Sequence, residues 1–383
     1  MLTTERTPFA DLPAALVQEV LGHATEVGDF LLETFRQVKT NRGEYRQALI
    51  DRGRVLHESS LGYPPVPTTC GTDGSYGIER LLAADLAAAA AVAVEGLTPP
   101  SEKRHWQQPH HTTFVAAEVH HSETATVLRA VMVGCELLLA TDAPHDMVMI
   151  DNTLTLPIIY FNQALNLAPR TRSLHCSQEF LSHCPEYLDA YRAVLVSQRS
   201  DKHYVGLPKY STRREIGRSL GWGEQQDDRG LLTLLLQPGE LTRPVPLEQP
   251  SQQWHLNTSG LSEETRNRVD KMATDVVAAL GGVHIFYYKP HEWLPALRVE
   301  VARDIAVNNH RLACVVQGLK HQCAIASMLE PYPLYLADRM VKALARALPA
   351  FRQVATQRIC ERYEGDIQEV LFSMHGYRSD IGG

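Results

Sequence analysis

The sequence predicts an α/β fold, because stretches typical of strands and stretches typical of helices are mixed along the whole chain. Short apolar runs such as "HDMVMI" and "GGVHIFYY" are typical of buried strands, whereas "SETATVLRAVMVGCELLLATD" has the length and apolar spacing of a helix. The chain has 383 residues, and neither an internal repeat nor a low-complexity linker divides it. We therefore expect one large α/β domain with helical insertions.

The first third of the chain contains one clear helix and two ambiguous segments. Apolar residues recur at helical spacing over residues 11–38 and predict an amphipathic helix. In "TTCGTDGSYGIERL", the pair Asp73-Gly74 is a strong turn signal and predicts that a strand ends there. The segment "DLAAAAAVAVEG" fits a helix by its alanines and a strand by its valines and short length. Residues 99–121 are rich in Pro, His and Gln and are predicted to form a loop or an elaborated connection.

The remaining elements alternate between the two types. The helix at residues 122–142 is followed by "MVMID", a predicted strand that ends at Asp151. A helix is expected over residues 184–201. Three strands and a long helical region from about Tyr335 follow, the strands at "KHYVGLPK", "GGVHIFYYKP" and "ALRVEV".

Composition limits the function classes. A net charge of −7 argues against a protein that coats nucleic acid nonspecifically, but it permits an enzyme with a local basic groove. The acidic N-terminal segment does not resemble a secretory signal, and no apolar run approaches the roughly 20 residues that span a bilayer. Seven cysteines without regular spacing fit reduced thiols. We therefore expect a cytoplasmic protein without a membrane span.

Four carboxylates stand at positions that are unusual for a surface acid. Asp151 ends a strand, at the edge where ligands of α/β sheets gather. Glu136 is the only acid in "VLRAVMVGCELLLA", where a buried carboxylate needs a partner or a metal, unless it faces solvent or pairs with Arg129. Asp73 and Asp338 each have a simpler explanation, a turn and a favourable helix-dipole contact respectively.

As a set, the four acids form a candidate cage for two divalent cations about 4 Å apart, which can stabilise the attacking and leaving oxygens at a phosphorus atom. Oxygen ligands suit Mg²⁺ or Mn²⁺. The chain has no Walker-type phosphate loop, so any ATP-driven movement requires a partner. A zinc site is not favoured in "LHCSQEFLSHC", because six residues separate its two adjacent pairs, His175-Cys176 and His183-Cys184.

The order and spacing of several motifs resemble the NurA nuclease family. The motifs are spread over about residues 66–350 and read "TDGSYGIERL", "MVMIDNTLTLP", "YVGLPKYSTRREI", "LLTLLLQPGEL", "ALRVEVARDI" and "PYPLYLADRMVKAL". The resemblance implies a ribonuclease H-like core, with a mixed central sheet flanked by helices. It also implies 5′–3′ digestion of DNA from ends and endonuclease activity on single strands. The family acts as a homodimer with the hexameric ATPase HerA in DNA end processing.

The resemblance also assigns roles to the acids. Asp73 and Asp151 correspond to the first and second metal-binding aspartates of the family, with Mn²⁺ or Mg²⁺ as the metal. Glu136 is our choice for the helical glutamate between them, although Glu123 lies on the same helix. Asp338 stands where family members often carry a histidine, and an aspartate can serve as a ligand there. The predicted catalytic and metal-binding residues are therefore Asp73, Glu136, Asp151 and Asp338.

The chain departs from the family at Asn152, because the second motif usually reads Asp-Gly. The resemblance implies in addition that "DLAAAAAVAVEG" is a strand beside the strand of the DGS motif, against its alanine propensity. The predicted contacts to nucleic acid are Ser75, Lys209, Ser211, Thr212 and Arg213, because cations and hydroxyls suit a phosphate backbone. Helix capping is the alternative for Ser211 and Thr212. Arg298 and Glu300 alternate on one strand and are expected to form a structural ion pair.

We therefore predict three regions: an N-terminal helical region at 1–60, a NurA-like nuclease domain at 61–350 and a C-terminal helical extension at 351–383. Two other functions stay open. One is a non-catalytic dimeric adaptor for a DNA translocase, which the departures at Asn152 and Asp338 would suit. The other is a metal-dependent ribonuclease, because a fold does not fix the substrate.

Overall fold

The structure, a computed structural model, describes residues 9–10, 12–196, 199–223 and 227–382. The chain divides into two compact units, Met1–Arg52 and Gly53–Gly383. In the first unit, the predicted N-terminal helix is present as α1 (Ala14–Gly22) and α2 (Ala24–Asp51), while residue 11 itself lies outside the described part. The boundary between the units precedes the predicted one at residue 60.

The second unit is built on one sheet, which has eleven strands among the described residues. The strands are β1 (Val55–His57), β2 (Thr69–Leu81), β3 (Asp85–Glu95), β4 (His110–Glu118), β5 (Met147–Ile150), β6 (His203–Gly206), β7 (Glu240–Thr242), β8 (Val245–Pro246), β9 (His284–Tyr288), β10 (Leu297–Val301) and β11 (Gly376–Gly382). The helices are α3 (Thr124–Asp142), α4 (Leu156–Leu167), α5 (His175–Leu195), α6 (Glu215–Leu220), α7 (Asp228–Leu235), α8 (Glu263–Leu280), α9 (Arg303–Ala306), α10 (Asn309–Gln322), α11 (Tyr332–Cys360) and α12 (Ile367–Ser373).

The sheet is mixed, in the order β1-β7-β9-β10-β6-β5-β2-β3-β4, with β8 beside β9 and β11 beside β2. β5 runs parallel to both β2 and β6, whereas β3 is antiparallel to β2 and β10 is antiparallel to β6. Helices pack on the sheet, α3 and α11 against both β2 and β3. The predicted fold class, a mixed central sheet flanked by helices, is confirmed.

The strand β2 overturns one prediction and confirms another. Asp73 and Gly74 lie inside this 13-residue strand, so the predicted turn at Asp-Gly is wrong. β2 pairs with β3 from Cys70 to Arg80, and the alanine-rich segment is therefore a strand, as the family resemblance implied. Its small side chains are buried, which allows the covering helices to approach the sheet closely.

Close approach also explains the glycines around Asp73. A Cβ atom on Gly71 would lie 2.8 Å from the backbone nitrogen of Leu334 in α11. A Cβ atom on Gly74 would lie 2.9 Å from Cγ of Met132 in α3. Because odd and even residues of a strand point to opposite faces, α11 and α3 cover opposite faces of β2. The glycines serve helix packing and not a turn.

One edge of β2 is shared by two strands with a gap between them. β5 pairs with residues 69–72, and β11 pairs with residues 76–81 on the same side, because β3 occupies the other edge. Residues 73–75 lie between these two ladders. The gap places Asp73 at an interruption of the sheet, beside the end of β5.

Three further segments differ from the sequence predictions. The loop predicted at residues 99–121 contains β4, which includes His110 and pairs along β3. The predicted C-terminal helical extension is helical only in α11 and α12, since β11 joins the sheet. The helix predicted over 184–201 is α5, which begins at His175 and ends at Leu195; residues 197–198 lie outside the described part.

The helix α3 is long and apolar enough to cross a membrane by length and composition, so the expectation that no apolar run approaches this length is wrong. It is the one such helix in the described ranges. In this structure, 72% of its most apolar 18-residue stretch is buried within the protein, and the helix packs against β2, β3 and α5. Its composition is therefore explained by its place in the core.

Candidate metal centre

Three carboxylates from distant parts of the chain converge at the gap beside β2. Asp73, Asp151 and Asp338 each offer an oxygen atom, and these atoms lie within 4.8 Å of one another. Asp151 follows the last residue of β5, and its N–H donates to the carbonyl of Thr72 at 3.2 Å. Asp338 lies early in α11, the helix that Gly71 allows close to β2. The structure thus brings together three of the four predicted metal ligands.

The fourth predicted ligand, Glu136, approaches from α3 on the other face of the sheet. Its side chain is 2% exposed, and Oε1 has no hydrogen-bond partner. It does not face solvent, and it does not pair with Arg129, whose Nε donates to Tyr76 at 2.9 Å. Glu123 immediately precedes α3, about three and a half turns from Glu136. Glu136 is therefore the glutamate of this helix that lies near the aspartates.

The acids are held in an environment that disfavours their charged forms. Burial raises the pKa of Asp73 to about 8, and the negative charges of Asp151 and Asp338 add to this shift. Burial raises the pKa of Asp151 to about 6, although the Lys209 ammonium opposes the shift. Burial, with Asp73 and Asp151 nearby, places the pKa of Glu136 well above its ordinary value. A cation at this position would relieve the repulsion.

Lys209 and Glu330 complete the cluster. The Lys209 Nζ atom lies 2.8 Å from Asp151, 3.0 Å from Glu330 and 3.3 Å from Asp338. Partial burial would raise the pKa of Asp338, but hydrogen bonds from Lys342 and Lys209 lower it below the ordinary value. The sequence reasoning missed Glu330, although it directly precedes the "PYP" that opens α11. One lysine thus lies among several acids.

This donor set fits a hard divalent cation. The candidate ligands are carboxylate oxygens, the donors that Mg²⁺ and Mn²⁺ prefer. Oδ1 of Asp151 and Oε1 of Glu136 are buried and lack hydrogen-bond partners. Buried polar atoms are usually satisfied, so unpartnered oxygens in an acidic cluster point to an external ligand. The residues present therefore fit the metal that the sequence predicted.

The residues predicted to contact nucleic acid differ in their exposure and in their hydrogen bonds. Ser75 is 1% exposed and donates a hydrogen bond to the Gly382 carbonyl at 3.1 Å, so it supports β11 and is not on a binding surface. Ser211 accepts from the Arg213 N–H at 3.2 Å, but this bond does not cap a helix, because α6 begins at Glu215 with Arg214 at its N-cap position. The Arg213 guanidinium donates to the Glu248 carbonyl at 2.6 Å. Thr212 is exposed.

A zinc site receives no support from the structure. Cys176 and Cys184 are buried in α5. The carboxylate of Glu118 accepts hydrogen bonds from the backbone N–H groups of His175 and Cys176 and satisfies the start of that helix. Within the described ranges, the aspartate cluster is the one group of three or more His, Cys, Asp or Glu side chains with metal-binding spacing.

Comparison with models of protein families and with curated proteins gives no match to this sequence. Comparison of the fold gives clear matches to crystal structures of NurA. The NurA nuclease from Sulfolobus solfataricus has a TM-score of 0.53 and 13% identity, over 88% of this chain and 98% of that one. A NurA structure with manganese has a TM-score of 0.52 and 12% identity, over 90% and 99% of the two chains. Another NurA structure has a TM-score of 0.56 and 12% identity, over 91% and 99%.

These matches support the mixed α/β fold, and the structure itself places an acidic cluster beside the end of β5. At the level of fold it resembles NurA over most of its length, as the motifs predicted. At 12–13% identity the likeness concerns the fold. The assignment of chemistry depends on the cluster itself.

Proposed function

We propose that this protein is a metal-dependent DNA nuclease. The observation that carries the proposal is the convergence of Asp73, Asp151 and Asp338, with one oxygen of each within 4.8 Å of the others. The fold supports it, because "nuclease" is the activity named for the Sulfolobus structure, and manganese is present in a second NurA structure.

The cluster has the parts that phosphodiester hydrolysis requires. Asp73, Glu136, Asp151 and Asp338 would hold two Mn²⁺ or Mg²⁺ ions. Bound there, these ions would lower the pKa of a water molecule and stabilise negative charge on the phosphate oxygens. Lys209 has a half-exposed ammonium group 2.8 Å from Asp151, where it can hold a phosphate oxygen of the bound strand. Burial of the acids limits competing contacts with bulk water.

The substrate, the direction of digestion and the partners that we propose rest on the family resemblance. We propose a DNA substrate, 5′–3′ digestion from ends and endonuclease activity on single strands, in DNA end processing. We further propose a cytoplasmic homodimer that works with a HerA-type hexameric ATPase. The chain's own lack of a Walker-type motif is consistent with a separate motor.

Degradation of end-labelled linear single- and double-stranded DNA in Mn²⁺, Mg²⁺ or EDTA tests the proposal. We expect metal-dependent cleavage by wild type. Asp73→Asn and Asp151→Asn should each lower the rate more than about a hundredfold, because losing even an outer partner of a metal ligand costs about 10- to 100-fold. Asp142→Asn, at the exposed end of α3, is the control that should cleave like wild type.

Equal activity of the aspartate variants and wild type would refute the proposed site. If wild type leaves DNA intact, labelled RNA tests the ribonuclease alternative in the same buffers. Addition of a HerA-type ATPase with ATP tests whether the partner is required. Inactivity in every arm would favour the adaptor and refute the nuclease.

A further inference from the structure

A buried ion network lies beside the metal centre, on β10. Arg298 is 1% exposed, and its Nε donates to Glu300 at 3.1 Å, as the predicted structural ion pair requires. Its two terminal nitrogens donate to the carboxylate of Glu215 at 2.9 and 2.8 Å, and one of them also donates to the Tyr287 hydroxyl at 2.9 Å. One guanidinium thus holds two carboxylates in fixed directions.

Glu300 and Glu215 connect this network to the two chain segments that contain Asp151 and Lys209. The second oxygen of Glu300 accepts from the Thr153 hydroxyl at 2.6 Å and from the Leu154 N–H at 2.9 Å, in the loop that begins with Asp151. Glu215 is the first residue of α6, at the end of the segment 209–214 that begins with Lys209. The network therefore connects the Asp151 loop to the Lys209 segment through Arg298.

Strand pairing in the sheet also connects Glu300 to the start of the Asp151 loop. Glu300 of β10 pairs with Gly206 of β6, and Gly206 pairs with Ile150 of β5, the residue before Asp151. The backbone fixes where Asp151 leaves the sheet. The hydrogen bonds of Glu300 then hold residues 152–154, which lie beyond the last paired residue of β5.

We propose that Arg298 and Glu300 are positioning residues, which hold the Asp151 loop and the Lys209 segment in the arrangement that binds metal. The proposal deepens the proposed function and rests on it. A planar guanidinium has the geometry for this task, because it binds a carboxylate with two parallel hydrogen bonds, whereas an ammonium acts as a point charge. Sites built in this way depend on their supporting contacts for accuracy.

Three substitutions separate positioning from ordinary stabilisation. Arg298→Lys keeps the positive charge but loses the planar group that contacts Glu215 and Glu300 together. Glu300→Gln keeps the shape and places an amide donor where an acceptor is needed. Thr153→Val removes one hydroxyl contact to Glu300 and leaves the ion pair intact. Glu58→Gln is the matched control, because Glu58 is another buried acid, held by Lys320 and Tyr288 beside β9.

Two readouts do not require nuclease activity: Mn²⁺ affinity by calorimetry without nucleic acid, and amide hydrogen exchange of the metal-free protein. We expect Arg298→Lys and Glu300→Gln to weaken Mn²⁺ binding about tenfold, within the range for groups that support metal ligands. We expect faster exchange in residues 151–155, with the rest of the sheet unchanged. Thr153→Val should produce a smaller change of the same kind, and Glu58→Gln should leave both readouts at wild type.

Wild-type Mn²⁺ affinity and exchange in Thr153→Val and Glu300→Gln would overturn the proposal. So would an affinity loss in Glu58→Gln equal to that in Glu300→Gln, because the effect would then reflect stability in general. If Arg298→Lys fails to fold, Thr153→Val decides. A wild type that binds Mn²⁺ but does not cleave DNA, even with a HerA-type ATPase and ATP, would refute the proposed function, while the exchange and affinity comparisons would still test the positioning role.

Discussion

Two buried charge clusters of this protein differ in how completely they are satisfied. Around Arg298, two carboxylates surround one guanidinium, and the guanidinium nitrogens have partners. Around Asp73, several acids share the ammonium of Lys209, and buried oxygens of Asp151 and Glu136 have no hydrogen-bond partner. The first cluster is complete within the protein, whereas the second lacks positive charge.

This difference separates a supporting role from a binding role. Burying a charge without a partner costs free energy, so a folded protein keeps such a group where a ligand supplies the missing interaction. The acidic cluster lies at the gap in the sheet, and the Arg298 cluster lies on the neighbouring strands. We infer that the complete cluster orients the loops that carry the incomplete one.

The largest expected effect is the loss of the guanidinium from the complete cluster. Arg298→Met leaves the carboxylates of Glu215 and Glu300 buried without their cation. Removing one partner of a buried ion pair costs about 3–5 kcal/mol, so the free energy of unfolding should fall by that amount. Urea unfolding followed by circular dichroism measures it. A loss below about 1 kcal/mol would mean that this cluster is not the structural one.

The next effect is stabilisation of the incomplete cluster by metal. At a free Mn²⁺ concentration one hundred times Kd, binding to the folded state alone should raise the free energy of unfolding by about 2.7 kcal/mol. Thermal and urea unfolding with Mn²⁺ or EDTA measure the increase. Asp151→Asn should abolish it, and the exposed control Asp142→Asn should retain it. The same increase in both variants would place the metal elsewhere.

A smaller effect is expected when Asp73 loses its charge in the absence of metal. Its pKa is about 8 in the folded protein against an ordinary 3.8, so the folded state holds a proton that the unfolded state has lost between these values. Stability from this group is therefore present at low pH and is lost as pH rises from about 4 to about 8. In EDTA at pH 8, Asp73→Asn should raise the free energy of unfolding by at least about 1.4 kcal/mol, the value of one pKa unit.

The pH profile supplies the control for that substitution. Wild type in EDTA should lose stability across this window, and Asp73→Asn should have a flatter profile. Replacing the exposed Asp142 should leave the slope at wild type. An Asp73→Asn protein that is less stable than wild type at pH 8 would contradict the account of repulsion among the acids.

The smallest effect is expected at Ser75, which the sequence analysis assigned to nucleic acid. Its hydroxyl donates to Gly382, so Ser75→Ala should cost about 0.5–1.5 kcal/mol, the value of one hydrogen bond. The dissociation constant for single-stranded DNA, measured by fluorescence anisotropy, should not change. A clear loss of DNA affinity with unchanged stability would restore Ser75 to the binding surface.

The sequence predicted the acids better than the backbone that carries them. Asp151 was predictable, because a polar residue after a buried strand is a local pattern. The strand through Asp73-Gly74 was not, because turn propensity is local, whereas the pairing with β3 and the approach of α3 and α11 are tertiary. Glu330 and the contacts of Ser75 were missed for the same reason. Both depend on residues more than a hundred positions away.

The metal centre is tested most directly by anomalous diffraction from crystals of the protein soaked in Mn²⁺. We expect manganese bound by Asp73, Asp151 and Asp338, with the ammonium of Lys209 withdrawn from its contact with Asp151. Manganese bound elsewhere, with Lys209 still 2.8 Å from Asp151, would contradict the assignment of the metal centre.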